Sequence, residues 1–210
     1  MKTNILKLFF VFSLLLNFNS TTAQKLSYGV ILGINFFNDQ SSNGGPNDVF
    51  FDSGNDQFIV PNLGGYLEYE ATQNIGLKLE LTANTKTFEK GYANKSLGEQ
   101  YKLSFIDFNP NFKYDFGSEY RKGFYMILGP KIAVLTKASF NSQNVTSDFE
   151  KVTLGLELGL GQRMLKFLEI EGKFDYGLTP FYKANGSKPN KIAGFYLSLH
   201  VDLQKIISSK

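Results

Sequence analysis

The only histidine in the chain, His200, lies two positions after Ser198 and two before Asp202. A hydroxyl, an imidazole and a carboxylate are the parts of a hydrolytic nucleophile. On a strand, however, alternate positions share a face at a spacing of about 6.6 Å, beyond hydrogen-bond reach for most rotamers. Interior polar packing is therefore the expected role of this trio. Asp39, Asp48, Asp52 and Asp56 stand among Asn and Gly, a composition that can hold Ca²⁺. Their spacing lacks the Asp-x-Asp-x-Asp-Gly and terminal Glu of a dedicated calcium loop, so a solvated loop is expected. Gly155 to Gly161 has no following Lys-Ser/Thr and alternates like a strand, so it is no phosphate cradle. With no cysteine and one histidine, thiolate sites and disulfides are excluded and a transition-metal centre has little to build on. No cofactor is expected.

The remaining chemistry is charge, and it is periodic. From Tyr101 to Phe116, Ile106, Phe108, Pro110, Phe112, Tyr114 and Phe116 alternate with Asp107, Asn109, Asn111, Lys113 and Asp115. A period of two gives one apolar and one polar face on a single strand. The pattern recurs, predicting strands over residues 25–37, 58–70, 75–86, 101–116, 124–134, 152–161, 168–179 and 193–203. Long polar connections are expected at 38–56, 89–99, 139–150 and 182–190, alternating with short turns. No helical period is evident after the N-terminal segment. Twenty-one Phe, 11 Tyr and 20 Gly suit strands and tight turns.

Lys2 and Lys7, a largely apolar run from Leu8 to Leu16, and Thr21-Thr-Ala23 before Gln24 read as a signal peptide over residues 1–23. The run is too short for a spanning helix, which needs roughly 20 apolar residues. Residues 24–210 form one domain. Loss of Lys2 and Lys7 takes the formal charge from +3 to +1, so nothing in the charge points to nucleic acid.

Alternation alone does not say which face is inside. Three features favour lipid outside. The polar face mixes small Gly29, Gly33, Gly155, Gly159 and Gly161 with charges of both signs. The apolar rows span roughly 20–25 Å at a tilt near 45°, close to the expected band. Tyr28, Phe36, Tyr69, Phe116, Phe124 and Tyr176 sit near row ends, where interfacial girdles form. The expected fold is all-β: an eight-stranded antiparallel up-and-down transmembrane barrel, with short periplasmic turns and long external loops.

A barrel of eight strands leaves room inside only for side chains. Glu68, Glu80, Asp107, Glu157, Glu171 and Asp175 would then meet Lys78, Lys113, Lys131 and Lys173 in a buried polar network, because unpaired buried charge is costly. Pairing across short turns places Glu68 opposite Lys78 and Glu157 opposite Lys173, with both contacts formed. Pro110 and Pro130 should face each other if their strands pair through Phe116 and Phe124, interrupting the ladder there.

Gly29-Val-Ile-Leu-Gly-Ile-Asn-Phe36, Phe124-Tyr-Met-Ile-Leu-Gly-Pro-Lys131, Leu154-Gly-Leu-Glu-Leu-Gly-Leu-Gly161, Tyr176-Gly-Leu-Thr179 and Phe195-Tyr-Leu-Ser-Leu199 resemble the PorT-like outer-membrane β-barrel family of Bacteroidetes. The likeness covers essentially all of residues 24–210. It implies an eight-stranded outer-membrane barrel, and the family's namesake is associated with protein secretion. Such barrels often end on an aromatic, whereas here Leu203 is followed by Gln204 to Lys210.

The expected function is that of a non-enzymatic, monomeric envelope barrel. Its partners would be outer-membrane lipid and envelope or secretion-system proteins. Two alternatives stay open: a soluble lipocalin-like lipid-binding barrel, and an outer-membrane lipid-modifying enzyme.

Overall fold

The computed structural model describes residues 25–40, 49–52, 61–92, 95–183 and 189–208. The expected signal peptide, residues 1–23, lies outside them. The described residues hold ten strands: β1 Leu26–Asp39, β2 Val49–Asp52, β3 Pro61–Glu70, β4 Ile75–Tyr92, β5 Lys95–Asp115, β6 Phe124–Phe140, β7 Gln143–Asn144, β8 Val152–Leu165, β9 Leu168–Gly177 and β10 Ile192–Asp202. Eight of them close a barrel in the order β1-β3-β4-β5-β6-β8-β9-β10, each antiparallel to its neighbours. β2 and β7 are short additions, hydrogen-bonded to β4 and β6 at the long-loop end.

The register fixes the geometry. Following partners from Leu26 through Tyr69, Leu77, Phe112, Leu128, Leu158, Phe174 and Phe195 returns to β1 at Phe36, an offset of ten residues. With eight strands this stagger tilts them by about 40° and leaves an interior that side chains can fill. Among the described residues no helix is long and apolar enough to cross a membrane.

Alternation sorts the two faces as a membrane requires. Leu63 (58 % exposed), Leu77, Leu81, Phe112, Leu128, Leu158 and Phe174 (51 %) look outward, while Glu80, Lys113 and Glu171 are fully buried. An aqueous barrel would carry the reverse arrangement, which sets the lipocalin-like alternative aside. At the short-turn rim Tyr114, Phe116 and Phe124 form an aromatic group, with ring centroids 5.1 and 5.6 Å apart.

The β5–β6 ladder runs to Phe108↔Ile132 and resumes at Phe112↔Leu128, leaving Pro110 opposite Pro130 without ladder pairing. Neither proline has an N–H to donate. A closed barrel has no edge strand on which to place them, and the interruption is the consequence.

Three expectations need correction. Residues 89–99 are not a loop: β4 and β5 form one long hairpin that reaches Tyr92 and Lys95. The other expected loops are likewise partly structured. Residues 38–39 extend β1 and 49–52 form β2; 139–140 end β6, 143–144 form β7, and Thr146–Asp148 make a 3₁₀ turn. Finally, β10 ends at Asp202, and Leu203–Ser208 is a short helix, α1, where the strand was expected to reach residue 203 and no helix was expected. Asp202 caps it, its Oδ1 accepting the Lys205 N–H at 3.0 Å. Six residues are too few to display a helical period.

Glycine is required where aromatic rings cross the interior. A Cβ at Gly161 would collide with the Tyr125 ring. Gly161→Val is expected to destabilise the barrel by about 1–3 kcal/mol through overpacking. Urea titration of the folded band on unheated gels checks this; an unchanged midpoint would show that the ring moves aside freely.

Candidate functional site: a filled lumen beneath an aromatic cap

All ten charged residues expected on the inner face are buried: Glu68, Lys78, Glu80, Asp107, Lys113, Lys131, Glu157, Glu171, Lys173 and Asp175. They form three storeys. Nearest the short turns, Lys113 Nζ donates to Glu68 Oε1 at 2.9 Å, and Arg121 reaches up from the β5–β6 turn to Glu68 (3.3 Å) and Asp202 (2.7 Å). Arg163 pairs with Glu169. Burial opposes the Arg121 charge, but Glu68 and Asp202 outweigh it and hold the guanidinium above its usual pKa. The neighbouring Tyr120 phenol is pushed up, first by burial and then by Glu68 and Asp115.

In the middle storey Lys78 Nζ lies 2.6 Å from Glu171 Oε2 and 3.2 Å from Glu80 Oε1, while Lys173 pairs with Glu80. Above it Lys131 Nζ sits 2.9 Å from Asp107 and 2.8 Å from Asp175, and donates to Tyr196 Oη at 2.6 Å. Lys86 donates to the same Tyr196 Oη at 2.7 Å and to Asn84. The rings of Phe37, Phe105 and Tyr196 surround its ammonium at 5.2–5.6 Å. Cation–π contact in a dry site is worth up to about 2 kcal/mol.

The expected register is half right. Glu68 does stand opposite Lys78, but the ion pairs run across the lumen to Lys113 and Glu171 instead of along the hairpin. Glu157 stands opposite Asp175, not Lys173. Its contact with Lys173 still forms, at 3.8 Å, from a diagonal position. β8 runs on to Leu165 before β9 starts at Leu168, so the hairpin turns later than expected and the partner of Glu157 moves on by two residues. The lumen also holds Lys86, Asp115, Glu169 and Asp202, buried members beyond the expected ten. All four lie on the inward parity of their strands, which was the available signal. Arg121 comes from a turn and had none.

Ser198 and His200 overturn a second expectation. Ser198 Oγ and His200 Nε2 share a hydrogen bond at 2.9 Å, because both side chains lean toward each other across the pleat. His200 Nε2 also lies 3.5 Å from Glu171 Oε1, and Nδ1 lies 4.0 Å from Glu80 Oε1. Asp202, the expected acid, instead faces Arg121. Glu80, Glu171 and His200 present ligand atoms within 4.8 Å of one another. Lys78 and Lys173 already press against both carboxylates, so the donor set repels a metal cation.

Above the charges, the inner face changes chemistry. Phe37, Phe51, Phe88, Tyr101, Leu103, Phe105, Leu135, Phe149 and Phe181 form an apolar cluster that caps the lumen at the long-loop end. Phe51, from β2, is its centre, with five aromatic rings at 5.0–6.1 Å. Of the expected loop acids, Asp39 is buried and braces this cap: its Oδ2 accepts the Phe51 N–H at 3.2 Å and Asn190 Nδ2 at 2.6 Å. Asp52 ends β2, and Asp48 and Asp56 lie outside the described residues.

The geometry has solved counterparts. Neisserial surface protein A superposes with a TM-score of 0.51 at 12% identity, over 85% of this chain and 97% of its own. Ail, the attachment invasion locus protein of Yersinia pestis, gives 0.48 at 14% identity, over 85% and 99%. The first supports the fold; neither likeness carries function. No curated protein matches the sequence. The family described as outer membrane protein beta-barrel domain matches residues 18–183. With its closed eight-stranded barrel and apolar exterior, the chain belongs to the outer membrane protein beta-barrel domain family and resides in the outer membrane.

Proposed function

We propose that this protein is a non-enzymatic, monomeric interaction barrel of the outer membrane, working through its external end on other envelope components. A place beside a protein-secretion apparatus, as in PorT-like barrels, is the form of this role that the sequence resemblance favours. The observation that carries the reading is the filled lumen. Ion-paired side chains occupy three storeys and an aromatic cap closes the top. Ser198 and His200 are buried within the charges, away from any lipid or solute. What remains available to partners is the outside: the protruding β4–β5 hairpin, β6 and their connections.

Planar-bilayer recording tests the closed lumen; no steady ionic current is expected, and a reproducible conductance would overturn the reading. In-cell crosslinking through cysteines placed at exposed Thr136 and Ser147 tests the external role. Recovery of a discrete envelope-protein adduct is expected, and adducts no different from those of a cysteine at periplasmic Lys122 would argue against it.

A further inference from the structure

The exterior changes chemistry where the inside does, and one bulge controls how. On β5–β6 the highest apolar outward pair is Ile106↔Val134, beside Ala83 on β4. One row higher stand Thr85 and Ser104 opposite Lys137, and above that Thr87, Lys102 and Ser139. Strict alternation from Val134 would send Lys137 inward, into the aromatic cap. The register shift between Ser104 and Phe105 prevents this: Thr136 and Lys137 are both exposed, and Ala138 takes the buried position. Re-aiming a side chain is what a bulge does. Lys102 reaches the same outer face through ordinary alternation.

Their height matters. Two and four residues beyond Ile106, on strands tilted by about 40°, place the two ammonium groups roughly 5–10 Å above the last apolar row, in the headgroup layer. Lysine stems can lower the charges further by snorkelling. The two sites are diagonal neighbours, about 7–8 Å apart at the backbone, a span that one phosphate can bridge. Thr85, Ser104, Thr136 and Ser139 stand in the same rows: Thr85 Oγ1 and Ser104 Oγ lie 3.2 Å apart, and the Thr136 and Ser139 hydroxyls donate to the Ser104 and Lys102 carbonyls at 2.9 and 3.5 Å, leaving their lone pairs for water-mediated contacts. Among the described residues neither lysine has a carboxylate partner.

We propose that Lys102 and Lys137, with this hydroxyl row, form a docking site for the phosphate of a glycolipid in the outer leaflet. Continuity with the lipid-facing belt selects a lipid as the occupant, because the tails of such a molecule would lie on Ala83, Ile106 and Val134 while its phosphate meets the two charges. The inference rests on the external placement of the long-loop end.

The test uses the full barrel in phosphatidylcholine vesicles containing bisphosphorylated lipid A or its dephosphorylated form. Amine-directed labelling read by mass spectrometry should show Lys102 and Lys137 protected only by the phosphorylated lipid. Titration with a fluorescent phosphorylated analogue should show K102Q/K137Q binding about 30-fold more weakly, from two headgroup-level charges lost. K102R/K137R should bind as wild type, and unheated gel mobility confirms that each variant is folded. Equal protection with both lipids, or equal affinity of K102Q/K137Q and wild type, overturns the site and leaves the membrane assignment standing. Failure to float with either vesicle would overturn both.

Discussion

Lys78→Met is expected to lower the unfolding free energy by about 3–5 kcal/mol, the usual cost of removing one partner from a buried ion pair. Lys78 is fully buried, and its ammonium stands between Glu171 at 2.6 Å and Glu80 at 3.2 Å. The rings of Tyr66 and Tyr125 flank it at 5.3 and 5.4 Å. Methionine keeps the length of the side chain, so the loss isolates charge from volume. Glu80 retains Lys173, but Glu171 keeps only a longer contact to that cation at 3.8 Å, beside the Tyr125 hydroxyl at 2.8 Å and His200 Nε2 at 3.5 Å. The double variant K78M/E171L removes the stranded carboxylate and is expected to recover most of the loss, since buried pairs are often replaced by apolar groups at little cost. Urea titration in vesicles, read by unheated gel mobility, checks both. A Lys78→Met loss below about 1 kcal/mol would mean that water reaches the storey and screens the carboxylates.

Much of this was legible from alternation. The outward faces of β3, β4, β5, β6, β8, β9 and β10 lie where the period of two put them, and so do the ten inner charges. Alternation misleads where the rule changes sign. Between Phe105 and Ile106, β5 exchanges the chemistry of its two faces: Tyr101, Leu103 and Phe105 are buried, and Lys102 is exposed. Within the membrane the apolar row must face lipid; above it, the same parity must face water. A single apolar face therefore ends at the membrane surface on each strand, and the residues beyond it have the composition of a loop. The missed hairpin from Phe88 through Tyr101 follows from that, and so does the missed cap. Register errors have a separate source. The β8–β9 turn lies between Leu165 and Leu168, later than the apolar rows indicate, so Glu157 faces Asp175 and meets Lys173 only diagonally. The Ser198–His200 bond was missed because backbone spacing was applied to side chains long enough to close it.

Phe51→Ala tests whether the part above the membrane is a structural unit of its own. Phe51 is 1 % exposed and packs on Phe88, Tyr101, Phe149, Phe181 and Tyr182, side chains drawn from three different connections between membrane-spanning strands. Removing a buried phenyl ring costs about 3–5 kcal/mol. The membrane-level ladder does not depend on this ring, because its outward face is held by lipid and its inner face by ion pairs. The loss should therefore appear locally. Hydrogen exchange of β2 and of the upper ends of β4 and β5 is expected to speed up by about a hundredfold or more, while amides near Leu128 and Phe174 keep their protection. The variant should also stay non-conducting, since Lys131, Asp107, Asp175 and Tyr196 fill the lumen directly below the cap. Protection lost equally along the whole of β4 would refute two separable units: the barrel would then unfold as one body, and the cap would be a brace for the membrane strands. Retained protection in β2 would mean that Asp39 and the pairing with β4 hold the lid without its ring.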